Sequence, residues 1–376
     1  MTTDHPAQVW DLEVTTMGEG YPVRVGCGVV DQLVALLHEW SPAHQYALIA
    51  DARVFDLHGS RVQELCTALT GPMSVHTFAP GEERKNREEW ARLTDELLAA
   101  GLGRDGCVIS LGGGVTGDLA GFVAASYMRG IPIVHVPTSL VAMVDASIGG
   151  KTGVDVPMGK NLVGAFHPPQ FVLSDPELCT TLPRSERAQG LAEALKHGAV
   201  MDEEYFEWIE ANAERLLEGD VDVTAALVAR SVRLKTEVVS EDERESGRRQ
   251  ILNFGHTLGH AIEAESNFLV PHGNAVALGM VLEALLGERI GVTRPGVAGR
   301  LTKALNRLEL PTDLSSLPDP EVLLRLASRD KKSRRGSVRY VLLSDVGRVD
   351  HEEGWSREVD VDTIRVLLAE TPSRKR

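Results

Sequence analysis

The 376-residue chain has four cysteines and no C-x-x-C pair. Cys27, Cys66, Cys107 and Cys179 stand far apart, which argues against a zinc knuckle or a disulfide framework. They read as reduced core residues of a cytosolic protein. Positive charge is also short: Lys plus Arg total 39 against 54 Asp plus Glu, a formal net charge of −15. That balance excludes a general binder of nucleic acid or of anionic membranes. No apolar run approaches the roughly 18 residues that a bilayer-spanning helix needs. The first residues, Met1–Glu13, are polar and acidic, unlike a secretory signal. The expectation is a soluble, cytoplasmic protein.

What is present is ordinary globular material, 43% hydrophobic and 25% charged, long enough for two domains. In the first half, β-like runs alternate with amphipathic stretches. The runs are Tyr46–Asp51, Met73–Phe78, Gly106–Gly114 and Ile131–Pro137; Gly59–Thr70 and Asn86–Ala100 show helical spacing. This alternation predicts a Rossmann-like parallel α/β sheet. From about Ser185 the pattern turns helical, over Arg187–Ala199, Asp202–Leu217, Val223–Ser240, Gln250–Glu265 and Ala275–Ile290, with a late β-like segment at Val338–Leu343. The expected division is an NAD-binding α/β domain over 1–184 and a mainly α-helical metal- and substrate-binding domain over 185–376, with the active site in the cleft between them.

The segment Ser110–Gly121, SLGGGVTGDLAG, leaves a strand and opens a helix. Glycines there let the backbone approach a pyrophosphate, and the helix N-terminus offers amide donors and a positive dipole. The spacing GGGxxGD departs from G-x-G-x-x-G, so a plain tight turn also accounts for it. Asp51, at a strand end, suits a ribose hydroxyl or a helix N-cap. Glu82 and Lys85 lie three apart in a polar loop, and Thr138-Ser139 follow another strand, where ligands of open α/β sheets bind.

His256 and His260 are spaced i, i+4 and so share one helix face. His272 follows in PHGN, and Glu193 lies in the small-residue segment GLAEALKH with His197. One carboxylate and two imidazoles with an open fourth position suit a catalytic Zn²⁺. Spacing alone leaves open which two of His197, His256, His260 and His272 are ligands. Cations recur inside apolar or glycine-rich segments: Arg129, Lys151, Lys160, Lys196, Lys235, Arg249 and the pair Lys331, Lys332. Lys151 and Lys160 sit in a stretch, Ser147–Asn161, that reads as turn-rich and suited to a phosphate or carboxylate. The acidic excess then belongs to solvated helices, and net charge says nothing against an anionic substrate.

Together these segments resemble the 3-dehydroquinate synthases, within the sugar-phosphate cyclases. The matching motifs are GGGVTGDLAGFVA (Gly112–Ala124), RGIPIVHVPTSLVAMVDASIGGKTGV (Arg129–Val154), GKNLVGAFHPP (Gly159–Pro169), GLAEALKHG (Gly190–Gly198), ILNFGHTLGHAIE (Ile251–Glu263), HGNAV (His272–Val276) and DKK (Asp330–Lys332). The resemblance implies a phosphorus–oxygen lyase of the shikimate route to aromatic amino acids. Such an enzyme converts 3-deoxy-D-arabino-heptulosonate 7-phosphate to 3-dehydroquinate and phosphate. NAD takes a hydride from C5, phosphate leaves, the hydride returns, and an aldol step closes the ring.

By resemblance, Glu193, His256 and His272 are the ligands of Zn²⁺ or Co²⁺, and His260 lines the substrate site as a proton relay. Substrate contacts fall to Asp145, Lys151, Asn161, Lys196, Lys235, Arg249, Asn253 and one or both of Lys331 and Lys332. Of these, Lys151, Asn161, Lys196, Lys235 and Arg249 join His260 as catalytic candidates. Arg129 matches an arginine that reaches the neighbouring subunit's site, which implies a homodimer. NAD contacts match Asp51, Glu82, Lys85, Gly113, Gly114, Asp118, Thr138, Ser139, Lys160, Thr181 and Glu186. The chain departs from the pattern at Asn274, where many members carry an acid, and at Ser139, where threonine is usual. Arg249 with Asn253 fits a substrate that bears a carboxylate. That favours dehydroquinate synthase over cyclases of simple sugar phosphates; an aminodehydroquinate synthase or a metal-dependent polyol dehydrogenase are the alternatives.

Overall fold

The computed structural model describes residues 8–16, 18, 20–328 and 338–370. Contacts divide the chain into two compact units, 1–183 with 219–240 and 184–218 with 241–376. A single boundary near 184 was expected from sequence. Instead the chain enters the second unit in one helix and returns to the first in another, so helix 221–241 groups with the sheet unit.

The first unit is built on a seven-stranded sheet. Its strands are β1 (Trp10–Val14), β2 (Tyr21–Val25), β3 (Tyr46–Asp51), β4 (Met73–Phe78), β5 (Cys107–Gly112), β6 (Ile133–Pro137) and, after a separate hairpin of β7 (Lys151–Val156) and β8 (Gly159–Phe166), β9 (Val172–Ser174). The order is β1-β2-β9-β6-β5-β3-β4. Only β1 runs antiparallel, at one edge. The central strands β3, β5 and β6 are buried almost throughout, which is why they read as apolar runs rather than as alternations. Helices α1 (Arg87–Ala99) and α2 (Gly114–Ser126) pack Leu93, Leu97, Leu119 and Val123 against Ile49, Val108 and Ile133.

From β3 the chain moves outward to β4 and then crosses back to β5 on the other side of β3. Strand order reverses there, and such a switch point leaves a crevice at the carboxyl ends of the strands. The register sets Asp51 beside Phe78 and Gly112 beside Pro137, so the loops after β3, β4, β5 and β6 leave from one edge.

The hairpin corrects the expectation for Ser147–Asn161. Lys151–Val156 is a paired strand, not a string of turns. Its glycines serve close packing. A Cβ on Gly164 would fall 2.1 Å from the Thr152 carbonyl oxygen, and one on Gly121 of α2 would fall 2.4 Å from Thr152 Cγ2. Glycine here lets two backbones and a helix approach one another, and turn-like composition is a by-product.

The second unit contains α3 (Arg184–Met201), and the chain then returns to the first unit in α4 (Val221–Glu241). In the second unit again, α5 (His256–Glu265) and α6 (His272–Arg289) pack Leu258 and Ile262 against Ala275, Leu278 and Leu282. The expected helix over Gln250–Glu265 is two pieces, a 3₁₀ turn Arg248–Asn253 and then α5, because Gly255 adopts φ +78° between them. Asp202–Leu217 is likewise split at Asn212. Val338–Leu343 yields two short strands, Arg339–Tyr340 and Leu343–Asp345.

Candidate functional site

In the first unit, the glycine-rich turn closes β5 and opens α2. Gly113 caps the helix without a side chain, leaving the first-turn amides of a 13-residue helix open at the sheet edge. A Cβ on Gly113 would sit 3.2 Å from Ser139 Oγ, and one on Gly114 3.4 Å from Ala146 Cβ. This is a backbone cradle that larger residues would crowd, as a pyrophosphate site requires. Thr138 is buried, and its amide donates to the Gly112 carbonyl at 3.0 Å. Asp51 Oδ1 accepts from the Val54 amide at 2.9 Å, so the capping role weighed from sequence is present.

Beside this turn lies a half-buried charge cluster centred on the buried Lys85. Lys85 Nζ is 2.9 Å from Glu82 Oε1, 3.3 Å from Asp118 Oδ2 and 3.7 Å from Asp155 Oδ1, and Lys160 Nζ is 3.1 Å from Glu82 Oε1. Burial raises Glu82, but the ammonium groups of Lys85 and Lys160 outweigh it and hold the carboxyl down to about 2. Burial lifts Asp118 above the ordinary range and Asp155 to about 6, with Lys85 offsetting part of each rise. Lys85 stays charged, its three carboxylate partners more than cancelling the effect of burial.

Asp145 occupies a π-turn, Ala142–Ala146. Lys235 from α4 donates to both its carboxylate and its main-chain carbonyl, each at 2.6 Å. Lys151 is exposed at the start of β7. Asn161 has φ +52°, and its amide donates to Asp155 Oδ1 at 2.9 Å. Arg129 is exposed on a left-handed turn with Met128. Thr181 Oγ1 lies 3.1 Å from His58 Nε2. Glu186, grouped with these by sequence, is exposed in the first turn of α3, in the second unit.

In the second unit, α3, α5 and α6 bring Glu193, His256 and His272 together. Their ligand atoms all lie within 4.8 Å of one another. His272 Nε2 is 3.1 Å and His256 Nε2 3.6 Å from Glu193 Oε1. The outer nitrogens are also engaged: His256 Nδ1 donates to the Phe254 carbonyl at 3.1 Å, and His272 Nδ1 to Glu263 Oε2 at 3.3 Å. Both inner nitrogens are thus presented to one carboxylate, which is the donor set of a Zn²⁺ or Co²⁺ site.

Burial pushes the His272 imidazole down, but hydrogen bonds to Glu193 and Glu263 outweigh it and lift the group to about 10. His256 is driven well below its ordinary value by burial, with Lys196 adding to the effect. Lys196 Nζ is 2.5 Å from Glu193 Oε2. A second, overlapping group of possible ligands is His260, Glu263 and His272. The three imidazoles form one cluster, ring centroids 5.1–6.0 Å apart. His197, left open by spacing, is fully buried on α3 and belongs to neither group.

Backbone contacts fix this geometry. Gly255 and Gly279 meet where α5 starts on α6: a Cβ on Gly279 would fall 1.9 Å from the Gly255 oxygen. The buried Glu283 of α6 accepts from the Gly255 and Leu258 amides at 2.7 and 3.2 Å, satisfying donors at the start of α5. Gln189 of α3 accepts from the Gly273 amide at 2.7 Å, tying the carboxylate helix to the start of α6. Arg249 is buried, and its Nη1 donates to the Glu243 carbonyl; Asn253 Nδ2 donates to Glu245. Lys331 and Lys332 lie outside the described residues.

Sequence reasoning missed Glu263, Glu283 and Asp155. Glu263 was legible in principle: it follows His256 and His260 at i+7 and i+3 on the same helix face. Glu283 gives no such signal, since its partners are amides 25 and 28 residues away.

Comparison with known proteins adds an independent finding. Residues 75–189 match the family described as 3-dehydroquinate synthase N-terminal, and residues 190–333 its C-terminal counterpart. The chain is 46% identical over 333 residues to a 3-dehydroquinate synthase of Symbiobacterium thermophilum, covering 88% of this chain and 93% of that one. Among solved structures, it is similar to a 2-deoxy-scyllo-inosose synthase complexed with carbaglucose-6-phosphate, NAD⁺ and Co²⁺ (TM-score 0.87, 26% identity, 96% of this chain and 100% of that one). It is also similar to the 2-epi-5-epi-valiolone synthase of Streptomyces hygroscopicus subsp. jinggangensis 5008, with NAD⁺ and Zn²⁺ bound (TM-score 0.85, 27% identity, 96% and 99%).

Proposed function

The chain belongs to the 3-dehydroquinate synthase family, and from that premise we propose which of its residues perform the conversion of 3-deoxy-D-arabino-heptulosonate 7-phosphate to 3-dehydroquinate and phosphate. When bound, NAD supplies a reversible hydride acceptor and Zn²⁺ or Co²⁺ supplies Lewis acidity toward the hydroxyl that is oxidised. Glu193, His256 and His272 hold the metal. The Phe254 carbonyl and Glu263 fix the two rings, so that Nε2 of each faces Glu193. His260, against both rings, holds and moves the proton of the substrate hydroxyl.

Lys196, Lys151, Asn161, Lys235 and Lys331 or Lys332 bind the phosphate and hydroxyl groups, and Asp145 orients Lys235. Arg249 and Asn253 bind the substrate carboxylate. The loops at the switch edge of the sheet hold NAD: Gly113 and Gly114 the pyrophosphate, with Asp51, Glu82, Lys85, Asp118, Thr138, Ser139, Lys160, Thr181 and Glu186 about it. Arg129, exposed on its turn, reaches the site of a second copy in a homodimer. No helix among the described residues is long and apolar enough to cross a membrane.

The observation that carries the residue assignment is the convergence of two imidazole Nε2 atoms on Glu193 with both outer nitrogens already engaged. Metal analysis tests it. Chelator-treated protein should take up one equivalent of Zn²⁺, and His272→Ala and Glu193→Ala should each lose it while keeping NAD binding. A full equivalent retained in both variants would overturn the assignment.

A further inference from the structure

One half-buried carboxylate of the first unit is not among the residues assigned to NAD, metal or substrate. Asp155 lies in β7, where the hairpin register shifts between Val154 and Val156. Its amide donates to the Lys85 carbonyl at 2.7 Å, which anchors the strand to the loop after β4. Its Oδ1 faces the Lys85 ammonium at 3.7 Å and also accepts from the Asn161 amide at 2.9 Å. Asn161 sits at φ +52°, the left-handed turn conformation that asparagine tolerates better than other side-chain-bearing residues. One carboxylate oxygen therefore stands between the lysine of the nucleotide loop and the left-handed backbone turn of a hairpin residue.

The charges around it favour a relay over a simple ion pair. Lys85 already has Glu82 and Asp118 as closer partners, at 2.9 and 3.3 Å. Lys160, one residue before Asn161, pairs with Glu82. The nucleotide loop and the hairpin are thus joined through Glu82–Lys160, through the Lys85–Asp155 pair, and through the Asp155 amide on the Lys85 carbonyl. The Asp155 carboxylate also accepts from the backbone amide of Asn161, and so holds the turn that aims the Asn161 side chain.

We propose that Asp155 is a positioning residue that transmits occupancy of the nucleotide loop at Lys85 to Asn161, so that NAD and the phosphorylated substrate bind cooperatively. The inference rests on Lys85 being a nucleotide contact and Asn161 a substrate contact. Nucleotide that engages Lys85 changes how strongly the ammonium draws on Asp155, and Asp155 in turn holds the Asn161 turn. Two ligands that bias the same element are coupled reciprocally.

Hydrogen–deuterium exchange on the full-length, metal-loaded protein tests this without turnover. Saturating NAD should slow exchange of hairpin peptides spanning 157–166 in the wild type. That slowing should be lost in Asp155→Ala and in Asp155→Asn, with NAD saturation verified by calorimetry in each case. The backbone link to the Lys85 carbonyl remains in both variants, and the near-isosteric asparagine guards against misfolding. Substrate KM in the variants should rise by about fivefold or more, the low end of ordinary coupling, while kcat holds. The proposal is overturned if NAD fails to slow the hairpin in the wild type or slows it equally in both variants. If Lys85→Ala binds NAD as tightly as the wild type, the nucleotide-loop reading falls and the proposal with it.

Discussion

Glu263 Oε2 lies 3.3 Å from His272 Nδ1, on the side of the imidazole opposite Glu193. The ring is therefore held between two carboxylates, one that shares the metal site and one that fixes tautomer and orientation. Outer partners of this kind are worth about 10–100-fold in metal affinity. Glu263→Gln should weaken Zn²⁺ binding by about that factor while its melting temperature stays near that of the wild type. A competition titration against a chromogenic chelator measures it.

Gly279→Ala should be far more damaging than its size suggests. The added methyl would fall 1.9 Å from the Gly255 oxygen and 2.9 Å from the Gly259 amide nitrogen, and backbone cannot swing aside as a side chain does. Overpacking of a well-packed core costs about 1–3 kcal/mol, and this contact belongs at or above the upper end. Separation of α5 from α6 also moves His256 away from His272. Denaturant unfolding should show a lower midpoint, and metal analysis of the folded fraction should show reduced Zn²⁺.

Two of the three carboxylates beside Lys85, Glu82 and Asp155, should respond to pH with opposite signs. Glu82 is held at about 2 in the folded protein, below its ordinary 4.5. It stabilises the fold above about 4.5, and that contribution fades as pH falls toward 2. Asp155 is raised from 3.8 to about 6 by burial, only partly offset by Lys85. Its ionised form therefore costs stability, none below about pH 4 and the full amount above about pH 6. Asp155→Asn should melt close to the wild type at pH 4 and progressively higher as pH rises through 6. Thermal scans at pH 4, 5 and 8 read the gap; a variant less stable than the wild type at pH 8 contradicts this. A carboxylate retained at a cost to stability fits a functional role.

Arg249 is buried, yet it is assigned to the substrate carboxylate. Arg249→Ala should lower kcat/KM for the heptulosonate by about 100-fold or more, the scale on which a buried charged partner is lost. NAD affinity, measured by calorimetry, should stay unchanged. Equal loss of both would refute the carboxylate role.

Much of the sheet was legible because β3, β5 and β6 are buried on both faces and so appear as unbroken apolar runs. The hairpin was not. Its glycines at 153 and 164 are there for interstrand contact, and composition does not distinguish that from turns. The grouping of α4 with the sheet unit was equally hidden, since the bond between Lys235 and Asp145 spans 90 residues and leaves no periodic trace. In the metal site, helical spacing paired His256 with His260, whereas the group that converges on Glu193 contains His256 and His272. Residues one turn apart share a face, but ligands are chosen by where three helices meet. Gly255, Gly273 and Gly279 set that meeting point through backbone contact.

The most direct test follows a single reaction containing the purified protein, Zn²⁺, excess 3-deoxy-D-arabino-heptulosonate 7-phosphate and NAD⁺ at one equivalent per protein. Released phosphate and absorbance of NADH are recorded together. The account predicts many equivalents of phosphate and of 3-dehydroquinate for each NAD⁺, with no net NADH. NADH accumulating in step with substrate consumed, or phosphate release that stops at one equivalent, would contradict it.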